Sequence, residues 1–187
     1  MSDGMSQAPS LGDVLTFWYE TCVPKQWFKK DPSFDQAIRK RFEGLISRGL
    51  QGDLNDWMES RAGCLALILV LDQFTRNVYR DTPKAFCGDT RALAVSHLCC
   101  TRGYLNHSEH DWRHFMLLPM MHSEELSVQE RSLPLFEKYT DESVYRVAIR
   151  HHAIIERFGR YPHRNPILGR DSTPEELAFL KEPGSTF

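Results

Sequence analysis

The sequence lacks the marks of a secreted, disulfide-bonded or membrane-spanning protein. Its five cysteines are odd in number and include no CxxC pair, so neither a disulfide framework nor a cysteine-ligated metal is expected. Residues 1–10 are small and polar, without the basic start and apolar run of a signal peptide, and are predicted to form a disordered tail. The longest apolar run, residues 62–71, has about half of the roughly 20 residues that span a bilayer. These absences favour a cytoplasmic protein.

A strong charge of one sign is also missing. The formal net charge is -2, with 41% hydrophobic and 26% charged residues, which is ordinary for a globular protein. Because a chain with this balance has no overall field that attracts nucleic acid or an anionic membrane, we expect neither as a partner. The 187 residues are enough for one domain with a sizeable core, and we expect residues 11–187 to form it.

Signals for β-strands are nearly absent, whereas apolar residues recur at helical spacing from end to end. The spacing predicts about eight helices joined by short loops, which is typical of an all-α antiparallel array. Asp89 is a predicted N-cap. Two capping-box patterns, Ser127 with Glu130 and Thr173 with Glu176, mark further helix starts.

The predicted central helix, residues 61–78, is apolar in every direction as far as residue 71. A helix without a polar face is packed on all sides, so this segment is the expected core of the domain. Its end is polar, and carries Asp72, Gln73, Arg76 and Asn77. Asp72 and Arg76 lie four residues apart on one face, where an unpaired buried charge would be costly. They either form an ion pair that fixes helix packing or line a polar pocket.

A second polar group follows a proline inside a predicted helix. Pro119 is expected to kink or end that helix, and His122, Ser123 and Glu124 come directly after it. This arrangement can direct polar side chains into a cleft. Ser123 also suits a plain N-cap, and no glycines of a nucleophile elbow surround it, so a catalytic triad is not predicted.

The third polar group belongs to the predicted helix of residues 141–159 and the segment after it. His151 falls at the centre of the apolar face, where it is either a hydrogen-bonded core residue or part of a site. Arg146, Arg150 and Arg157 form a neighbouring stripe. These arginines could pair with acids, face solvent or bind an anion, because guanidinium suits carboxylate and phosphate. The candidate site residues here are His151, Arg157, Arg160, His163 and Arg164.

Metal and cofactor signals are weak. His110 and His114 have the helical spacing of a metal-binding pair, but no glutamate accompanies them as in an HExxH motif. The dipeptide formed by His110 and Asp111 resembles part of the site of helical metal phosphohydrolases, without the further ligands that such a site needs. We therefore expect no metal and no cofactor.

Three ordered segments, residues 69–80 (LVLDQFTRNVYR), 118–124 (LPMMHSE) and 157–165 (RFGRYPHRN), resemble the mainly bacterial family known as domain of unknown function 924. The resemblance covers the chain from about residue 14 to residue 180. It implies a fold similar to tetratricopeptide-like α-α superhelices and no established activity. One departure is Thr75, where the family pattern favours proline. The positions that match the family's motifs are Asp72, Gln73, Arg76, Asn77, His122, Ser123, Glu124, His151, Arg157, Arg160, His163, Arg164 and Asn165.

Two hypotheses for the function follow. The first is a binding module, in which a groove lined by arginine and histidine takes a peptide or an anionic small molecule. The second is a hydrolase or lyase acting on a small acidic substrate, with a histidine as acid or base, a carboxylate that orients it and an arginine that holds the anion. The residues for these roles are His122 or His151, Asp72 or Glu124, and Arg76 or Arg160, respectively.

Overall fold

The computed structural model describes residues 8–185, which contain α-, 3-10 and π-helices and no β-strand. The predicted all-helical array is confirmed. Of the predicted tail, residues 1–7 lie outside the described residues. Ser10 is the N-cap of the first helix, and its hydroxyl accepts from the backbone N–H of Asp13 at 3.2 Å.

The chain forms eleven α-helical segments within residues 8–185, several of them continued by π- or 3-10 turns. The α-helices are α1 (Leu11–Thr16), α2 (Pro24–Trp27), α3 (Pro32–Gln51), α4 (Arg61–Ile68), α5 (Thr75–Val78), α6 (Asp89–Thr101), α7 (His110–Met121), α8 (Leu126–Tyr139), α9 (Glu142–Phe158), α10 (Asn165–Leu168) and α11 (Pro174–Phe179). The π-helical segments are Phe17–Thr21 and Leu69–Phe74, and the 3-10 segments are Asn55–Glu59, Pro83–Phe86 and Pro162–Arg164.

The predicted central helix exists as α4, the π-helical segment Leu69–Phe74 and α5 in direct succession, and we call this unit the core helix. Every residue from Gly63 to Thr75 is buried, as the apolar wheel predicts. The π-turn was not predicted. It places the Thr75 hydroxyl 2.8 Å from the carbonyl oxygen of Leu71, so that the side chain donates to the backbone where the helix widens.

The other helices surround the core helix with their apolar faces. α3 packs along the π-segment and α5, while α6 and α7 pack against α4. Phe42 of α3 meets Phe74 with ring centroids 4.9 Å apart, and Trp18 meets Phe115 of α7 at 5.5 Å. Rings of this size bury large apolar areas and so stabilise the packing of helices that are distant in sequence.

Helices α7, α8 and α9 form a layer whose directions can be read from contacts at their ends. The first residue of α7, His110, has its Nε2 3.5 Å from Oδ2 of Asp141, the N-cap of α9. At the opposite end, Tyr161, just beyond α9, donates from its hydroxyl to the carbonyl of Met121 at 2.5 Å. α7 and α9 therefore run parallel, and α8 returns between them.

Helix ends follow some of the local predictions and depart from others. The capping box of Thr173 and Glu176 is confirmed, because the Glu176 backbone N–H donates to the threonine hydroxyl at 3.2 Å. The capping box of Ser127 and Glu130 is wrong: α8 begins at Leu126. Ser127 consequently lies inside the first turn. α7 continues through its internal proline to Met121.

All five cysteines are free thiols, and no helix within the described part of the chain is long and apolar enough to cross a membrane.

Candidate functional site

A cavity of about 780 Å³ opens where the end of the core helix meets α7 and α9. The loop after α2, the turn Pro83–Phe86 and the segment after α9 complete its wall. The ionisable side chains that line it are Lys29, Arg76, Arg80, Asp81, His114, Arg150, His122, His151, Tyr161, His163 and Arg164. Basic groups therefore outnumber acidic ones on its surface.

The deepest feature of this site is Asp72, which is fully buried directly behind the cavity wall. Its Oδ1 lies 2.7 Å from Nδ1 of His122 and 3.0 Å from Nη1 of Arg76. Gln73 donates from Nε2 to the other carboxylate oxygen at 2.5 Å. A buried carboxylate with three donors is well satisfied, and both His122 and Arg76 line the cavity in front of it.

The charges of this group follow from burial and pairing. Burial alone raises the pKa of Asp72, but the positive charge of Arg76 and the hydrogen bond from His122 hold that pKa well below its ordinary value. Burial lowers the pKa of His122, and this effect outweighs the opposing attraction of Asp72. An ionised Asp72 can only accept, so the neutral His122 carries its proton on Nδ1 and leaves a lone pair on Nε2.

Two guanidinium groups share a second carboxylate. Arg76 makes a bidentate pair with Asp89, with N···O distances of 2.8 and 3.0 Å. Arg164 approaches the same carboxylate at 3.8 Å and donates to the carbonyl of His122 at 3.0 Å. Burial, reinforced by the neighbouring Arg76, lowers the pKa of Arg164, although a guanidinium stays protonated at neutral pH. Arg164 is thus held more loosely than Arg76.

The aromatic surroundings of Arg164 fix the plane of its guanidinium. The group lies 4.5 Å from the ring centroid of Tyr161 and 4.8 Å from that of Phe86. Stacking of this kind orients the planar group and adds cation–π attraction.

The mouth of the cavity is also basic. Arg80 is neutralised by a bidentate pair with Asp35, at 2.7 and 2.8 Å. Lys29 and Arg150 have no ion pair with any side chain in residues 8–185. Asp81, the one acidic lining residue, is paired with Lys30 at 2.8 Å.

Three further histidines face the cavity, and burial is the main cause of their low basicity. It lowers the pKa of His151 to about 3 and those of His114 and His163 to about 4. His151 has its Nδ1 2.8 Å from the carbonyl oxygen of Val147, one turn earlier in α9. All three are neutral at pH 7, so the fixed charge of the cavity wall comes from lysine, arginine and Asp81.

The structure brings most of the predicted site residues together. Asp72 lies just behind the wall, and Gln73, Arg76, Asn77, His122, His151, His163 and Arg164 line the cavity. Asp72 and Arg76 form the expected ion pair, and of the two only Arg76 lines the cavity.

Two predicted arginines lie outside the cavity lining. Arg157 pairs with Glu175 at 2.9 Å, and Arg160 makes a bidentate pair with Glu176 at 2.7 and 2.9 Å. The acids belong to α11, which packs beside the end of α9 and attracts these two side chains. Among the arginines of α9, Arg157 thus binds α11, whereas Arg150 reaches the cavity.

Ser123 and Glu124 have local roles. The Ser123 hydroxyl accepts from the backbone N–H of Glu125 at 3.2 Å, in the turn before α8. The N-cap interpretation of Ser123 is wrong, because the N-cap of α8 is Glu125. Glu124 accepts from the backbone N–H of Tyr161 at 2.8 Å and pairs with Arg170 at 2.7 Å. It therefore anchors the segment that carries Tyr161 and Arg164.

Several cavity residues were not identified from the sequence. Phe28, Arg80 and Phe86 come from loops or turns, and their local patterns carry no functional signal. His114 was considered only as a metal ligand, whereas within residues 8–185 no group of three or more His, Cys, Asp or Glu side chains could hold a metal ion. Asp89, predicted as an N-cap, is instead the first residue of α6 and the partner of Arg76.

The fold and the site together define a class of protein: an all-helical array with one basic, histidine-rich cavity around a buried His–Asp pair. Residues 14–184 match the family model described as bacterial protein of unknown function (DUF924). The chain belongs to this family.

A solved structure, that of the protein of unknown function ATU0120 from Agrobacterium tumefaciens, is similar to this one. The two chains are 36% identical, and the match covers 91% of this chain and 96% of that one with a TM-score of 0.87. None of the curated proteins matches the chain.

Proposed function

We propose that this protein binds a small organic anion in the basic cavity. The observation that carries the proposal is the composition of the lining, in which five basic side chains face one acidic side chain. A concave site with convergent cationic groups raises the local concentration of anions.

The ion pairs of the cavity wall are oriented with their arginines toward the cavity. Arg76 and Arg80 line the cavity, whereas their partners Asp72, Asp89 and Asp35 do not. Each pair is therefore a dipole whose positive end faces the cavity. Fixed dipoles of this kind stabilise an incoming negative charge without having to reorganise.

The dimensions favour a small molecule over a peptide. A volume of about 780 Å³ lies within the range of roughly 300–1,000 Å³ that is typical of small-molecule sites. Peptide grooves on helical arrays are instead extended concave surfaces.

His122 makes binding dependent on pH. Its Nε2 lone pair repels an anion until the ring is protonated, and an anion beside it raises the pKa of the ring because opposite charges favour the protonated form. Asp72 also favours protonation, whereas Arg76 and Arg164 oppose it. We expect binding to take up a proton and to strengthen as the pH falls from neutral.

The test is calorimetric titration with butyrate and phenyl phosphate on the wild-type chain and an Arg164→Gln variant. Loss of a charge-assisted hydrogen bond of about 1.5–3 kcal/mol weakens binding roughly ten- to hundred-fold. Arg157→Gln is the control, since Arg157 pairs with Glu175 outside the cavity. Equal affinities in all three proteins, or no binding of any anion, would contradict the proposal.

A matched pair on α9 tests the mouth of the cavity without disturbing buried residues. Arg150 and Arg146 are both exposed and lie one turn apart, but only Arg150 lines the cavity. Arg150→Gln should weaken anion binding about two- to five-fold at low salt, and the difference should disappear at about 1 M salt. Arg146→Gln should change nothing. Identical effects of the two substitutions would mean that the mouth takes no part in binding.

A hydrolase or lyase is the second candidate, and the His122–Asp72 pair favours it. Asp72 orients the ring through Nδ1, and the lone pair of Nε2 is then suited to accept a proton from substrate or water. Arg76, His151 and Arg164 line the same cavity, so an anion clamp and a second imidazole are close to the base. Turnover of phosphate or carboxylate esters that is lost in His122→Gln, with binding retained, would favour this candidate over simple binding.

A cytoplasmic location and a tetratricopeptide-like arrangement of the helices remain part of the same proposal. Five free thiols are consistent with a reducing compartment.

A further inference from the structure

The cavity that we propose as the anion site has an apolar end as well as a polar one. The parallel helices α7 and α9 carry side chains toward it at intervals of one turn. Along α7 these are His114, Leu118 and His122, and along α9 they are Val144, Val147 and His151. Both series begin at the same end of the cavity because α7 and α9 start together and run parallel.

The polar end lies where α7 stops, beside the second half of α9. His122 directly follows α7, His151 lies in the second half of α9, and Arg164 lies beside His122 through the hydrogen bond of 3.0 Å to its carbonyl. Arg76 lies at this end as well, because Asp72 contacts both Arg76 and His122. An anionic group fits there and not between the valines.

The opposite end presents apolar side chains that nothing in residues 8–185 covers. Phe28 is 64% exposed, although it stacks on Phe115 with ring centroids 6.0 Å apart and planes at 9°. Trp27 fixes the backbone beside it by donating from its indole to the Trp18 carbonyl at 3.1 Å. An exposed aromatic ring held in place at the mouth of a cavity is a ready contact for an apolar ligand.

Few polar groups interrupt this end. His114 is neutral at pH 7 because burial lowers its pKa to about 4, and its ring lies 5.7 Å from that of Phe28. Ser143 is uncharged, and Lys29 and Asp81 are at the rim, where Asp81 pairs with Lys30 at 2.8 Å. Leu118, Val144 and Val147 provide the rest of the wall between the two helices.

The distance between the two ends follows from helix geometry. Eight residues separate His114 from His122, and seven separate Val144 from His151. With a rise of 1.5 Å per residue, these intervals span about 12 Å and about 10 Å, respectively. A short anion such as acetate would occupy only the polar end and leave the apolar stretch in contact with water.

We infer that the ligand of this cavity is an amphipathic anion, whose charged head lies between His122, His151 and Arg164 and whose apolar body extends between α7 and α9 to Phe28. The inference rests on the proposed anion binding and adds the chemical class of the ligand. The head is a carboxylate or a phosphate monoester, both of which suit a guanidinium, and the body is an alkyl or aryl group about two helical turns long.

The experiment compares three probes by calorimetric titration on the full chain: octanoate, which has both parts, butyrate, which is mainly the head, and 1-octanol, which has only the body. Each buried CH₂ strengthens binding about four-fold. We therefore expect octanoate to bind at least about ten-fold more tightly than butyrate, even with the chain partly exposed, and 1-octanol to bind at least about ten-fold more weakly than octanoate. Octyl phosphate in place of octanoate identifies the preferred head.

Two matched variants locate the apolar body. Phe28→Ala should weaken octanoate binding several-fold and leave butyrate unchanged. Leu177→Ala is the control, because Leu177 is likewise exposed, at 51%, but lies on α11 outside the lining. Both substitutions are at exposed side chains, so neither threatens the fold.

The outcomes separate the inference from the proposal on which it rests. Equal affinity for octanoate and butyrate, with both weakened in Arg164→Gln, would overturn the amphipathic ligand and leave anion binding intact. Binding of 1-octanol as tight as that of octanoate, or no binding of any probe, would overturn both.

Discussion

Replacement of Asp72 by asparagine tests whether the buried group behind the cavity is an electrostatic unit. The variant Asp72→Asn keeps the shape of the side chain but removes the charge that faces Arg76 at 3.0 Å and His122 at 2.7 Å. Removing one partner of a buried pair typically destabilises a protein by about 3–5 kcal/mol, because it leaves the other charge uncompensated. Here Asp89 still holds Arg76 in a bidentate pair, so the loss should be near the lower limit, about 3 kcal/mol.

The assay is thermal unfolding at pH 7, followed by calorimetry. For a chain of this length each kcal/mol corresponds to roughly 2–4 °C, so the Tm should fall by about 6–12 °C. Glu142→Gln is the matched control. It removes the carboxylate of an i,i+4 pair with Arg146 whose side chains are 70% and 73% exposed, and it should cost less than about 0.5 kcal/mol.

A second readout separates the electrostatic argument from a simple packing defect. Asp72 raises the pKa of His122, so the ring should titrate at lower pH in Asp72→Asn than in the wild-type chain, as followed by NMR. If the Tm of Asp72→Asn stays within about 2 °C of wild type and His122 titrates unchanged, the reasoning about this buried unit is refuted.

Three further predictions concern stability. The folded-state pKa values of His151, about 3, and His114, about 4, lie below the unfolded value near 6.5. The unfolded chain therefore binds more protons than the folded chain at acidic pH. The free energy of unfolding should fall from pH 6.5 toward pH 4 by up to about 1.4 kcal/mol per pH unit for each histidine. Denaturant titrations at several pH values measure this change. A free energy of unfolding that does not vary with pH would contradict the prediction. Gly88→Ala should lower the free energy of unfolding by about 2–3 kcal/mol, since a Cβ there would lie 2.1 Å from the Leu71 carbonyl oxygen; an unchanged urea midpoint would exclude that clash. Gly44→Ala, at an exposed position within α3 with nothing within 4 Å of a new Cβ, should instead raise stability by about 0.5–1 kcal/mol, and a lowered midpoint would count against the helix-propensity argument.

The helices could be predicted because their signals are local. The apolar wheel of residues 61–71 required a buried helix, and the core helix is buried from Gly63 to Thr75. α9 begins after the N-cap Asp141 and ends at Gly159, whose φ of 68° suits glycine. The π-turn at Leu69–Phe74 escaped prediction, because the apolar pattern of a π-turn resembles that of an α-helix.

The cavity could be predicted only in part. Asp72 and Arg76 lie four residues apart on one helix, and this spacing predicts their ion pair. The contact between Asp72 and His122 joins residues 50 positions apart, and nothing in either local pattern specifies it. Phe28 reaches the cavity because its loop stacks on α7, which is also a matter of packing.

The arginines of α9 illustrate the difference between local sequence pattern and tertiary packing. The sequence placed Arg146, Arg150 and Arg157 on one stripe of α9, since a helix sets side-chain direction every 3.6 residues. Their partners depended on neighbours: α11 supplies Glu175 to Arg157, while Arg150 pairs with no carboxylate of residues 8–185 and lines the cavity. Helical periodicity is a property of adjacent residues, whereas the pairing of buried charges depends on which distant segments pack together. The helices and the core could therefore be predicted from the sequence, whereas the site is formed by the packing of distant helices.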